Sequence, residues 1–124
     1  MTDEETLEVV RSYHRAWTTT KDFTAASELL AENLKTDLPV NEYVDKQEFV
    51  EAIRGFGSLV SNVRILSVTA GPGEAVMIYD LTMDTLGTLR IAEQFTVAEG
   101  KITSIRHVHD TATMRAAGFA PPLP

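Results

Sequence analysis

The stretch Leu89-Arg90-Ile91-Ala92-Glu93-Gln94-Phe95-Thr96-Val97-Ala98-Glu99-Gly100-Lys101-Ile102 decides the fold. Its first nine residues alternate. Side chains along a strand point to opposite faces in turn, so Leu89, Ile91, Phe95 and Val97 share one face. Glu99-Gly100 then turns the chain into a second extended run, Lys101 to Asp110. Glu93 points with the apolar set. A carboxylate among large apolar residues is costly to keep charged unless it has a partner. Two readings follow. Desolvation raises its pKa and suits it to acid/base work near neutral pH, or the position is structural, because the strand is an edge or because Glu93 pairs with a nearby arginine.

Working backward from this hairpin, Ala75 to Asp84 reads as a strand with Met77, Tyr79, Leu81 and Met83 on one face. Gly71-Pro72-Gly73 turns it back onto a strand from Val63 to Ala70. The first half is helical. Thr2 and Glu5 have the spacing of a capping box, and Leu7, Val10, His14 and Trp17 form a helical stripe, so a helix is expected over about residues 3–19. Asp22 caps a second helix that buries Phe23 and Ala26. Asp45 and Glu48 open a third, carrying Phe49, Ile53 and Phe56. Asn33 to Val40 is extended up to Pro39. Helices first and strands with short turns last make an α+β fold, its antiparallel sheet covered on one face by helices.

The bulk composition sets limits. The chain has 124 residues and a formal net charge of -7, which suits a single domain over residues 1–118, with 119–124 as a loose tail. A negative chain offers no basic face for nucleic acid, and it disfavours anionic membranes. No cysteine is present, which removes thiol nucleophiles and zinc–thiolate sites and fits a reducing cytoplasm.

The hairpin register sets which residues face Glu93. A two-residue loop at Glu99-Gly100 puts Arg106 opposite it. A three-residue loop with a glycine bulge puts Ile105 opposite it, with His107 and His109 on the same face. The bulged loop is preferred, because the tighter turn would hold glutamate at positive φ. The expected cavity wall then has Glu93, His107 and His109 amid Ile91, Phe95 and Ile105, with Met77 and Tyr79 from the neighbouring strand and His14, Trp17 and Phe56 from the helices. His107 and His109 also have metal-ligand spacing, although the reading adopted needs no metal.

Several of these pieces resemble one family. Val9-Val10-Arg11-Ser12-Tyr13 with Ala16-Trp17, Asp22-Phe23, Asp37-Leu38-Pro39, and residues 93–102 are similar to nuclear transport factor 2-like proteins of the SnoaL-like, ketosteroid-isomerase-like and limonene-epoxide-hydrolase-like branches. The resemblance implies a cone-shaped fold of three helices on a curved, four-stranded, mainly antiparallel sheet. It also implies a small apolar ligand, no cofactor and a homodimer formed through the sheet. Carried onto this chain, it makes Tyr13 an oxyanion donor, Glu93 an acid/base or second donor, and Asp37 a proton-shuttling base or water-holding group. Epoxide-hydrolase chemistry would need a changed catalytic set, because His107 stands in place of one aspartate. Near the other, only Asp80 and Asp84 are present, without an arginine. The function expected is isomerisation or cyclisation by Glu93, His107 and Tyr13. The alternatives are a non-catalytic binder of hydrophobic ligands and a dimerising module without a ligand.

Overall fold

The computed structural model describes residues 1–119. Helix α1 spans Asp3–Arg15, a π-helical turn spans Ala16–Thr20, α2 spans Phe23–Glu28 and α3 spans Lys46–Gly57. The strands are β1 (Leu30–Asp37), β2 (Asn62–Gly71), β3 (Glu74–Met83), β4 (Gly87–Ala98) and β5 (Lys101–Val108), and a short α4 (Ala112–Ala116) follows. Apart from Phe119, the expected tail lies outside the described residues. No helix among the described residues is long and apolar enough to cross a membrane.

The local signals act as their chemistry requires. Thr2 Oγ1 accepts from Glu5 N–H at 3.1 Å while Glu5 Oε1 accepts from Thr2 N–H at 3.4 Å, so the first capping box is complete. Asp22 and Asp45 accept from Ala25 N–H and Glu48 N–H at 3.0 and 2.9 Å.

The sheet has five strands in the order β1-β5-β4-β3-β2, with β4 at its centre. This corrects the four-stranded expectation. The extended segment after α2 joins the sheet as β1, parallel to β5, and closes what would be an open edge. The strand bearing Glu93 is therefore not an edge. The inner sheet face packs on Val10, Tyr13, Phe49 and Ile53 of the helices, and Met77, Tyr79, Leu81, Ile91, Phe95 and Ile105 are each at most 3% exposed. The outer face carries Arg90 paired with Asp80 and Arg106 paired with Asp37, each at 2.8 Å. An arginine does accompany Asp80, then, but away from the interior.

The β4–β5 register differs from both sequence readings. The turn is the tight one, with Val97 opposite Ile102 and positive φ at both Glu99 (52°) and Gly100 (78°). Thr103 is then an extra residue on β5, so Thr96 pairs with Ser104 and Glu93 faces His107. Thr103 Oγ1 donates to Thr96 O at 3.2 Å and holds this bulge. The preferred register had the right face of β5 but the wrong partner.

A left-handed conformation costs a non-glycine residue about 1–2 kcal/mol, less for asparagine. Glu99 also shares a cleft with Glu4, Glu5 and Glu8. Glu99→Asn is therefore expected to stabilise the protein by about 0.5–1 kcal/mol, read as a higher midpoint in urea with an unchanged slope.

The first helix does not run evenly to residue 19. Its last part widens into the π turn, where Thr18 Oγ1 donates to His14 O at 2.6 Å. Lys21, at φ 59°, ends the turn, and its Nζ donates to the carbonyls of Gly57 and Val60 at 2.6 and 2.8 Å. Gly57 packs so tightly here that a Cβ would lie 2.8 Å from Trp17 O and from Phe23 Cε1. These contacts lock Trp17 between α1 and α3.

Candidate functional site

A cavity of about 360 Å³ lies between the helices and the inner sheet face, within the range usual for small-molecule pockets. Tyr13 and Trp17 contribute from the α1 side, Phe49, Ile53 and Phe56 from α3, Leu89 and Ile91 from β4, and His107 from β5. Leu38, Val40, Asn41 and Tyr43 of the β1–α3 connection, with His109, Met114 and Phe119, complete the wall. Asn41 Nδ2 donates to Phe119 O at 3.1 Å and ties the C-terminal segment to the β1–α3 connection.

Of the expected wall residues, Tyr13, Trp17, Phe56, Ile91, His107 and His109 reach the cavity. His14, Met77, Tyr79, Phe95 and Ile105 do not. They are buried in the core behind the wall, which corrects the expectation that they touch a ligand. Asp37 is corrected as well. Its carboxylate is exposed at the sheet edge and paired with Arg106, away from the cavity. In a parallel edge strand its side chain turns outward with that of Arg106, its register partner.

Glu93 is fully buried and does not reach the cavity surface. Each of its oxygens faces a polar group, but only one accepts a hydrogen bond. Tyr79 Oη donates to Oε1 at 2.8 Å. His107 Nε2 lies 2.8 Å from Oε2, a close polar approach that lacks the geometry of a linear hydrogen bond. His107 forms part of the cavity wall, and its side chain is 16% exposed. The carboxylate therefore sits one layer deeper than the sequence implied, with the imidazole between it and the ligand space.

The electrostatics reverse one expectation. Burial pushes the Glu93 carboxyl up, but His107, with contributions from His14 and the Tyr79 hydroxyl, brings it below its ordinary range. Glu93 is thus an ionised carboxylate at neutral pH, not a general acid. Burial, and then the negative Glu93, raise Tyr13 and Tyr79 well above the ordinary phenol value, so both remain hydrogen-bond donors. Among the described residues, no hydrogen-bond partner engages the Tyr13 hydroxyl. Burial lowers the half-buried His109. Among the described residues, no group of three His, Asp or Glu side chains converges as a metal site.

His14 packs its ring edge-on against Tyr79 at 4.3 Å and is pushed down to about 4 by burial, partly offset by Glu93. Unfolding restores its ordinary 6.5, so between these values the unfolded chain binds a proton that the folded chain refuses. Stability is expected to fall by about 3 kcal/mol as pH drops from about 6.5 to about 4. Glu93, held low by its partners, adds a loss of the same sign at still lower pH. Urea unfolding across this range measures the slope, and His14→Leu should flatten its upper part.

Sequence reasoning did not assign to the wall Phe49, Ala52, Ile53 and Gly55 of α3 or Leu89 of β4, which it had read only as parts of their elements, nor the β1–α3 connection and the C-terminal segment. In the β1–α3 connection the one signal was apolar side chains in a loop-like stretch, Leu38, Val40 and Tyr43 around Pro39.

Residues 10–105 match the family model of the SnoaL-like domain. Among solved structures, the chain is similar to a protein from Kribbella flavida at 26% identity and a TM-score of 0.83, over 90% of this chain and 91% of that one. A de novo designed protein with a curved β-sheet shares the fold at 17% identity and a TM-score of 0.81, covering 94% of each chain. An NTF2-like protein of unknown function from Cytophaga hutchinsonii does so at 19% identity and a TM-score of 0.76, over 89% of this chain and 94% of that one. No curated protein matches the chain.

Proposed function

The chain belongs to the SnoaL-like domain family within the nuclear transport factor 2-like fold, and from that premise we propose that it is an acid/base enzyme that moves a proton on a small apolar carbonyl compound. The fold group includes enzymes that act on small hydrophobic molecules. The observation that carries the reading is His107, standing in a largely apolar wall that also holds the Tyr13 hydroxyl, with a fully buried carboxylate 2.8 Å behind it.

In this mechanism His107 takes a proton from the carbon next to the carbonyl. The C–H electron pair moves into the new C=C bond, and the carbonyl π pair moves onto oxygen. The Tyr13 hydroxyl donates to that oxygen, and its high pKa keeps it a donor throughout. Glu93 does not touch the substrate. It stabilises the imidazolium as it forms, in a site where low dielectric strengthens the attraction. Returning the proton to a different carbon gives isomerisation, and attack of the enolate carbon on a second carbonyl gives cyclisation. With Nε2 committed to Glu93, the nitrogen left to exchange the proton is Nδ1.

The test is a panel of apolar ketones in D2O. Binding is followed by fluorescence of Trp17, the chain's one tryptophan and part of the cavity wall. Bound ketones are expected to exchange their α-hydrogens for deuterium. Binding without exchange for every ligand would leave the second reading, a non-catalytic binder of hydrophobic molecules.

The proposal extends to a homodimer through the outer sheet face. Ile78, Ala92 and Val108 form one cross-strand row there, Val76 lies beside it, and Val76, Ile78 and Val108 are exposed. Sedimentation of the protein and of Ile78→Asp separates the cases: a dimer that the substitution splits supports this, and a native monomer removes it.

A further inference from the structure

We infer that Tyr79 is a positioning residue whose hydroxyl, 2.8 Å from Oε1 of Glu93, pins the carboxylate so that its other oxygen faces His107 and decides which imidazole nitrogen carries the proton. The consequence for catalysis rests on reading His107 as the cavity-side base, but the test below does not.

Tyr79 has no other visible task for a polar group. It is fully buried, stands outside the cavity wall and makes its hydrogen bond to Glu93 alone. The backbone register makes the contact possible. Met77 is paired with Glu93 and Tyr79 with Ile91, so Tyr79 and Glu93 are diagonal neighbours on the inner face of adjacent strands, within reach of a ring as long as tyrosine's. His14 packs against the Tyr79 ring at 4.3 Å and 68°, which holds the ring in place.

The terminal torsion of glutamate is broad, and a carboxylate held at neither oxygen can swivel. The Tyr79 hydrogen bond fixes one oxygen, which leaves the other turned toward the His107 ring. Its effect on His107 follows from charge. With Nε2 2.8 Å from Oε2, a lone pair on Nε2 would face a negative oxygen, whereas an Nε2–H is attracted to it. The neutral ring therefore carries its proton on Nε2 and presents the Nδ1 lone pair. The titratable groups around Glu93 are His107 from β5, Tyr79 from β3, and Tyr13 and His14 from α1. His14 is neutral and both tyrosines are protonated in the pH range that matters, so none of them adds a charge that would set the His107 tautomer.

The experiment is long-range 1H–15N spectroscopy on the full chain labelled in its three histidines, with His109 as internal reference. Neutral His107 is expected as the Nε2–H tautomer by about tenfold or more, the ratio that about 1.4 kcal/mol supports. Tyr79→Phe is expected to lower that ratio by about threefold or more while ligand binding at Trp17 is unchanged. If Tyr79→Phe does not fold, fluorotyrosine placed at position 79 alone makes a stronger donor of the same shape, and the ratio should rise. An Nδ1–H tautomer in the native protein, or a ratio that neither replacement moves, overturns the inference. The readout uses no substrate, so its failure is separable from a failure to exchange deuterium into ketones.

Discussion

Glu93→Gln is expected to slow proton transfer by about a hundred- to ten-thousand-fold while changing ligand affinity by less than about threefold. The two halves of this expectation come from one fact: Glu93 is fully buried and lies outside the cavity wall. In the proposed mechanism a ligand meets His107 and Tyr13 and not the carboxylate, so the amide leaves ground-state contacts alone. What the amide removes is the negative charge that stabilises an imidazolium, and that charge matters only as the proton moves. The glutamine side chain is close in shape and still accepts from Tyr79 Oη, so the fold should survive. Single-turnover deuterium exchange and Trp17 fluorescence on the same variant measure the two quantities. A fall in affinity matching the fall in rate would mean that Glu93 contacts ligand, against its placement. An unchanged rate would end the acid/base proposal.

The second large effect is on stability. His107→Leu should destabilise the protein by about 3–5 kcal/mol, because it leaves a buried carboxylate with the Tyr79 hydrogen bond alone. Much of the loss should return in the double variant His107→Leu with Glu93→Leu, since an apolar pair there leaves no buried charge, though the Tyr79 hydroxyl then lacks its acceptor. The double-mutant cycle in urea is the measurement. The single variant should also lose less on acidification than its parent does over the range where Glu93 titrates, because its carboxyl is no longer held below the ordinary range and takes a proton sooner. A single variant as stable as the native protein would mean that the 2.8 Å contact contributes no net stability.

Much of the fold could be read from short-range chemistry. Caps at Thr2, Asp22 and Asp45, the alternation of Leu89 to Val97 and the glycine turns each act within a few residues, so their outcome does not depend on what packs against them. Glu93 stood out for the same reason, since one residue out of phase with its strand's polarity is visible in a window of nine. The register of His107 was not legible. It depends on Thr103 being squeezed out of the β4–β5 ladder, a choice made by both strands together, while the turn alone pointed elsewhere. Asp37 looked catalytic from the family resemblance of Asp37-Leu38-Pro39, but its direction is set by β1 docking beside β5, from across the chain.

From its residues alone, then, this chain determines an α+β architecture with a carboxylate on the apolar side of a central hairpin, because strand periodicity and capping are local. Whether that carboxylate is charged, which groups it faces and how deep it lies were decided only when β3, β5 and α1 closed around it. Its ionisation is a contest between lost hydration and three neighbours brought from distant parts of the chain, and no local pattern encodes the result of that contest.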